Sequence, residues 1–286
     1  DRRLLHKINY ENGTIEIEGK TYEMNDVNFP TVDRENPYEL SSEEKQLVKE
    51  LRRMYVNNKR LKQHIEFLYA KGSMYCCFNN NLLYHGCVPL DEDGNFAVIK
   101  LNDKNYKGKD YLDYADKMAR KAYFNKNNQD ELDFMWYLWC GEKSPLSGRR
   151  IKTFERTFID DKNAWNEPKN PYYDFYKDEK TCNMILHDFD MYSPMSHIIN
   201  GHTPIRVTKG EKPVHANGKL IIIDGGFCKA YHDTTGIAGY TLIYNSHSIR
   251  LMSHQPFESI ETALEENKDI ESTADRIETM INELWL

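Results

Sequence analysis

Two histidines stand where apolar runs break at glycine: His85 in "LLYHGCVPL" and His202 in "IINGHTPI". A strand that delivers a histidine to its end beside glycine leaves room, where the neighbour has no Cβ, for a metal, a phosphate or another backbone to approach closely. A neutral imidazole is the commonest side-chain ligand for transition metals, and it is held best when its other nitrogen has an acceptor. The plain alternative is a pair of strand-end histidines, each satisfied by a backbone carbonyl. A third break of this kind falls at Asp224 in "KLIIIDGGF". That carboxylate either caps the turn that follows or accepts a hydrogen bond from a ligand histidine.

Other candidates carry less chemistry. Cys140 beside Gly141 could be a thiol nucleophile, but no histidine is fixed near it by spacing, and a buried structural cysteine is the competing reading. His247 and His254 could form a metal pair, except that a strand ending between them points them apart. The six cysteines include no CxxC pair, which fits neither a zinc knuckle nor a disulfide scaffold; reduced, buried thiols are expected. In "NEPKNPYYDFYKDEK" aromatics alternate with lysines, as in base-stacking segments, yet a proline-anchored loop covering the core is expected there.

The whole composition bounds the setting. A chain of 286 residues, 40% hydrophobic, can bury a sizeable core as one large domain or two ordinary ones. A formal net charge of -7 argues against a general binder of phosphate backbones. No apolar run is long enough to cross a bilayer, and the opening residues carry charges inside any would-be signal segment. The expectation is a cytoplasmic protein with no nucleic-acid and no membrane partner. The chain begins with Asp1 rather than methionine, as a processed, clipped or truncated chain would.

The elements that must position these residues can be read from periodicity. Asn12-Gly13 between two alternating runs predicts a β-hairpin, and residues 1–36 form a hairpin and linker ahead of a main domain spanning 37–286. Ser41 with Glu44 is a capping-box pair, and apolar residues at helical spacing from Leu47 to Leu68 predict one long helix over 41–71, stopped at Gly72. "SMYCCFNNNLLYHGCV" predicts two strands about a turn at 79–81. Residues 107–139 read as helical with a break at 125–128, "KTCNMILHDF" has too little pattern to assign, and strand-like runs follow from Pro194. Residues 258–286 read as acidic C-terminal helices. The class is α+β, or layered α/β.

The wording of these blocks is similar to that of a known family. "YHG" resembles the histidine-glycine motif of calcineurin-like metallophosphoesterases, and "NGHTPI" resembles their later glycine-histidine motif. The order YHGCVPL, WYLWCGEKSPLSGR, NGHTPI, IIIDGGFCKAYHDTTGIAGYTLIYNS resembles class III fructose-1,6-bisphosphatase over essentially the whole chain. The resemblance implies a β-sandwich flanked by helices and hydrolysis of the 1-phosphate of fructose 1,6-bisphosphate, in gluconeogenesis, at a dinuclear Mn2+ centre. It carries His85 and His202 over as ligands of the second metal. Arg149 or Arg150, following "SPLSG", becomes a candidate phosphate clamp, because a guanidinium offers parallel donors to two phosphate oxygens; the alternative is a solvated surface pair. Lys229, Tyr231 and His232 become possible sugar contacts.

The same family also needs DxH, GDxxDRG and GNHD or GNHE motifs ahead of the first histidine, and none occurs in this chain. The expectation is therefore a C-terminal portion that is inactive alone, because two neutral imidazoles cannot offset the charge of two divalent ions. Its partners would be a sugar bisphosphate and the missing N-terminal half. Without that half, the chain should dimerise, bind the N-terminal piece or expose a large apolar patch. The remaining alternatives are another metallophosphoesterase, acting on phosphoproteins or dinucleotide polyphosphates, and a non-catalytic interaction module.

Overall fold

The computed structural model of the chain describes residues 3–245, 248–257, 259–267 and 272–279. It divides into two compact units. The first joins Asp1–Gly72 to Arg150–Pro168, and the second joins Ser73–Arg149 to Lys169–Leu286. This differs from the expected division after residue 36, and the reason lies in the core of the first unit. Strands β1 (Ile8–Asn9), β2 (Thr14–Ile17) and β3 (Lys20–Glu23) form an antiparallel sheet, with Asn12-Gly13 in the first turn as expected. Ile15 and Ile17 alternate inward along β2, and the residues that close over them, Ile159 and Ala164, return from more than a hundred residues later.

The helix expected over 41–71 is two helices, α1 (Ser42–Asn57) and α2 (Lys59–Lys71). The Ser41–Glu44 capping box forms, with the Glu44 amide donating to Ser41 Oγ at 3.2 Å and the Ser41 amide to Glu44 Oε2 at 2.8 Å. The break is at Asn58, whose extended backbone ends α1 while its Oδ1 accepts the Leu61 amide at 2.9 Å to start α2. Asparagine side chains compete with the backbone in this way, and apolar periodicity running across such a residue hides it. No residue of either helix is buried, and Leu47, Met54, Phe67 and Leu68 are exposed.

In the second unit, β4 (Tyr75–Phe78) and β5 (Asn81–Tyr84) form a hairpin about Asn79-Asn80, both left-handed, as a two-residue turn of this hand requires. A smaller hairpin, β6 (Ile99–Leu101) and β7 (Lys104–Tyr106), leads to helices α3 (Gly108–Asn125) and α4 (Gln129–Cys140), broken where the sequence predicts. The unassigned segment is a helix, Glu179–Asp188, burying Cys182, Ile185 and Leu186. Next come β8 (His197–Asn200), β9 (Val214–His215) and β10 (Leu220–Ile222). The sheet order is β4-β5-β8-β10-β9, with β5, β8 and β10 parallel. Both β8 and β10 are buried throughout, as inner strands of a largely parallel sheet are, although His197 and Asn200 put a polar residue at each end of β8.

A separate antiparallel sheet holds β11 (Gly239–Tyr244), β12 (Ser248–His254) and β13 (Ser272–Thr279). This corrects the expected C-terminal helices over 258–286: among the described residues of that span only Ile260–Glu266 is helical, and 272–279 is a strand paired to β12. Acidic residues dominate the composition there and mask a strand whose partner edge is fixed by tertiary pairing. Residues 258, 268–271 and 280–286 of that expectation lie outside the described residues. The architecture is α+β. Among the described residues no helix is long and apolar enough to cross a membrane.

Candidate metal and phosphate site

Three parallel strands stop at one edge of the central sheet, and each stop carries a candidate. Tyr84 of β5 and Ile222 of β10 both register with Asn200 of β8, so His85, His202 and Asp224 follow from strand ends at one level. The crevice beyond the carboxyl ends of parallel strands is where open sheets bind ligands. Here the two histidines meet: His202 Nδ1 is 3.2 Å from His85 Nε2, with the rings edge to face. Two nitrogens, each about 2.0–2.1 Å from a common divalent ion, would lie about 3 Å apart, so the pair fits one metal.

The backbone is built to hold that meeting. Asn200 is buried, and its side-chain amide lies within hydrogen-bond distance of three successive carbonyls, Tyr84 at 3.2 Å, His85 at 3.2 Å and Gly86 at 3.0 Å. The Gly201 amide adds a bond to the His85 carbonyl. His202 itself is left-handed at φ 64°. Histidine tolerates that region better than most residues, at a cost of about 1 kcal/mol, and such strain gathers at functional sites.

Two glycines lock the arginine block beside the histidines. A Cβ on Gly86 would come within 2.4 Å of the Pro145 and Leu146 backbone, and one on Gly148, at φ 57°, within 2.7 Å of Cys87 Sγ. "YHGC" and "SPLSG" therefore interlock, and the Cys87 amide bonds the Pro145 carbonyl at 2.9 Å. Arg149 leaves this junction with Nη2 3.3 Å from Thr203 Oγ1, next to His202. Its buried Nε has no hydrogen-bond partner among the described residues. The guanidinium therefore leaves one donor unpaired among these residues, while its Nη groups keep the parallel-donor geometry that suits a phosphate.

Electrostatics follow the geometry. Burial, the His85 ring and the Arg149 guanidinium push the His202 imidazole down to about 4, against the opposing pull of the Asp224 carboxylate. Above that pH the ring is neutral and keeps a lone pair for a cation.

The remaining expected residues separate. Arg150 belongs to the first unit, where Nη1 pairs with Glu18 Oε1 at 2.8 Å. Asp224 caps its own turn, accepting the Gly226 amide at 3.0 Å, while its carbonyl accepts the Ile205 amide at 2.8 Å. Lys229 and Tyr231 sit exposed on the turn Lys229–Tyr231, and His232 opens the next turn. His247 lies outside the described residues, while His254 is engaged with Thr241 Oγ1 and Ser272 Oγ. Cys140 is buried, with its Sγ directed at the Trp136 carbonyl. The Tyr-rich segment covers the core: Tyr172 is fully buried and its hydroxyl meets that of Tyr84 at 2.7 Å. Sequence reasoning missed Asn200, although a polar residue closing an apolar strand immediately before Gly-His was a usable signal.

The second unit thus brings together two imidazoles and a guanidinium, but among the described residues no carboxylate joins them as a ligand. Among the described residues no group of three or more His, Cys, Asp or Glu side chains could hold a metal ion. A profile of the Firmicute fructose-1,6-bisphosphatase family matches residues 1–285. The chain belongs to this family. It is 52% identical to a class 3 fructose-1,6-bisphosphatase of Clostridium botulinum over 97% of its length, but over 42% of that relative. The figures for class 3 fructose-1,6-bisphosphatases of Clostridium novyi and Clostridium beijerinckii are 52% and 51% identity, over 99% and 98% of this chain and 43% of each relative. The chain spans about two fifths of the length of these fructose-1,6-bisphosphatase relatives. No solved structure matches it.

Proposed function

We propose that the chain supplies part of the active site of a metal-dependent fructose-1,6-bisphosphatase, which hydrolyses fructose 1,6-bisphosphate to fructose 6-phosphate and phosphate in gluconeogenesis. The observation that carries this reading is the His85–His202 pair, 3.2 Å apart at neighbouring strand ends, with the Arg149 guanidinium alongside. Family membership favours this substrate over phosphoproteins or dinucleotide polyphosphates, and favours an enzyme over a binding module.

In this reading His85 and His202 are neutral ligands to one ion of a dinuclear Mn2+ centre in a metallophosphoesterase-type fold. The bridging and anionic ligands come from the part of the relatives' length that this chain does not span, which is why the chain alone is assigned no activity. When bound, the metal supplies positive charge to the phosphoryl oxygens and lowers the pKa of the attacking water. The chain's own residues orient the substrate. Arg149 presents its Nη groups to the phosphoryl oxygens, and Thr203 Oγ1, 3.3 Å from Nη2, helps to orient the guanidinium. Asn200 keeps both imidazoles in place through the backbone. Arg150, already held by Glu18, is assigned a structural ion pair, and Asp224 a turn cap.

The test is phosphate release from fructose 1,6-bisphosphate by the whole enzyme with Mn2+. His85→Ala and His202→Ala should each lower the rate by about 100-fold or more, and unchanged rates would remove the ligand assignment.

A further inference from the structure

Arg149 and Lys169 face each other across an isolated antiparallel backbone bridge. The Asn170 amide fastens it to the Gly148 carbonyl at 2.7 Å, and buried Asn170 is itself anchored, its Oδ1 accepting the Leu90 and Tyr172 amides. Residues directly opposite in such a bridge put their side chains on one face, where two like charges repel. The nearby Arg206 is paired with Glu211 at 2.6 Å. Arg149 and Lys169 are not, and among the described residues no carboxylate lies within 4.0 Å of either. Both instead stand over Tyr173, Arg149 Cζ at 5.7 Å and Lys169 Nζ at 5.9 Å from the ring centre. Burial, then Arg149 and Arg206, lower the ammonium below its usual range against the weaker opposing pull of Asp174 and Glu211, while the residue stays open to solvent. Two cations set opposite each other with only an aromatic face and distant carboxylates to offset them break a local rule, and such departures gather at functional sites; the component that would balance them directly is negative charge.

The positions are ordered. From His202 and Thr203 the row of donors passes through Arg149 to Lys169. We infer that Lys169 binds the second phosphate of a sugar bisphosphate, the one not hydrolysed, and so sets preference for bisphosphates over monophosphates. Arg149 remains with the reacting phosphate beside the histidines. A monophosphate ester bound there would leave the Lys169 ammonium without its anion, and a bisphosphate satisfies both cations. This inference rests on the phosphatase reading above and assigns a residue which that reading does not use.

The test compares Lys169→Gln and Lys169→Arg with the unaltered whole enzyme, loaded with Mn2+, on fructose 1,6-bisphosphate and on p-nitrophenyl phosphate. Lys169→Gln should lower kcat/KM for the bisphosphate about 10–100-fold, mainly through KM, and leave p-nitrophenyl phosphate within about twofold. Lys169→Arg should recover most of the loss. Equal losses on both substrates, or no loss on either, would overturn the assignment. If the unaltered enzyme hydrolyses neither ester, the phosphatase reading fails, and calorimetric titration of the metal-free protein decides the inference separately. Fructose 1,6-bisphosphate should then bind about tenfold more tightly than fructose 6-phosphate, with the difference abolished in Lys169→Gln; a difference that is absent, or that survives the substitution, overturns it.

Discussion

His202 Nδ1 lies 3.2 Å from His85 Nε2 although 117 positions separate the two residues in the chain. Asn200 braces that meeting, its amide lying within hydrogen-bond distance of three consecutive carbonyls around His85 and sharing its two N–H groups among them. Replacing Asn200 with alanine should cost about 1–3 kcal/mol in a denaturant melt, because buried carbonyls lose their donor. Metal affinity of the whole enzyme should fall about 10–100-fold with it. A stable variant with unaltered metal affinity would show that the clamp does not position the ligands.

Gly86 and Gly201 flank the histidines but differ in the space around them. Gly86→Ala should destabilise the protein by about 2–3 kcal/mol, since its Cβ would meet the backbone of Pro145 and Leu146 at 2.4 Å and part the two motifs. Gly201→Ala places its Cβ at an ordinary 3.6 Å from His85 Nδ1 and should change the melting midpoint far less. Equal midpoints would contradict the interlock.

In the first unit, Lys152 is buried with its ammonium 3.1 Å from Glu18. Burial tends to raise the Glu18 carboxyl, but hydrogen bonds from Lys152 and Arg150 outweigh it and hold the group below 4.5. A depressed carboxylate contributes stability that is present above pH 4.5 and lost as pH falls through the lower folded value. Glu18→Gln should therefore melt earlier at pH 7 and show a smaller loss between pH 5 and pH 3 than the unaltered chain. Parallel curves would refute the pair's role.

Thiol chemistry offers a check on burial. Cys182 is pushed up to about 12 by burial first, and Cys87 is raised further by burial alone. Both should resist iodoacetamide at pH 8 in the folded chain, while exposed Cys76 and Cys228 are alkylated first. Mass spectrometry of the labelled peptides reads the order, and early modification of Cys87 would mean that the Gly148 junction opens.

Much of this site is legible in the sequence because its parts are local. His85 and His202 announce themselves at strand ends, and Arg149 follows a glycine that its neighbours require. What the sequence conceals depends on pairing at a distance. The acidic residues at 272–279 read as helix until β12 supplies an edge for them, and the capping side chain of Asn58 is invisible to a count of apolar spacing. Lys169 looks like one lysine among tyrosines until the backbone bridge sets it opposite Arg149. No anionic partner for the two histidines is legible in the sequence, because no residue of this chain matches the DxH, GDxxDRG or GNHD motifs.

The most direct measurement is manganese bound per chain in the whole enzyme, read by metal analysis and paramagnetic resonance for the unaltered protein, His85→Ala and His202→Ala. Each substitution is expected to release one ion per chain, remove imidazole-nitrogen coupling from the Mn2+ spectrum and abolish phosphate release together. Full metal occupancy with unchanged nitrogen coupling in both variants would contradict the assignment of His85 and His202 as a metal-binding pair.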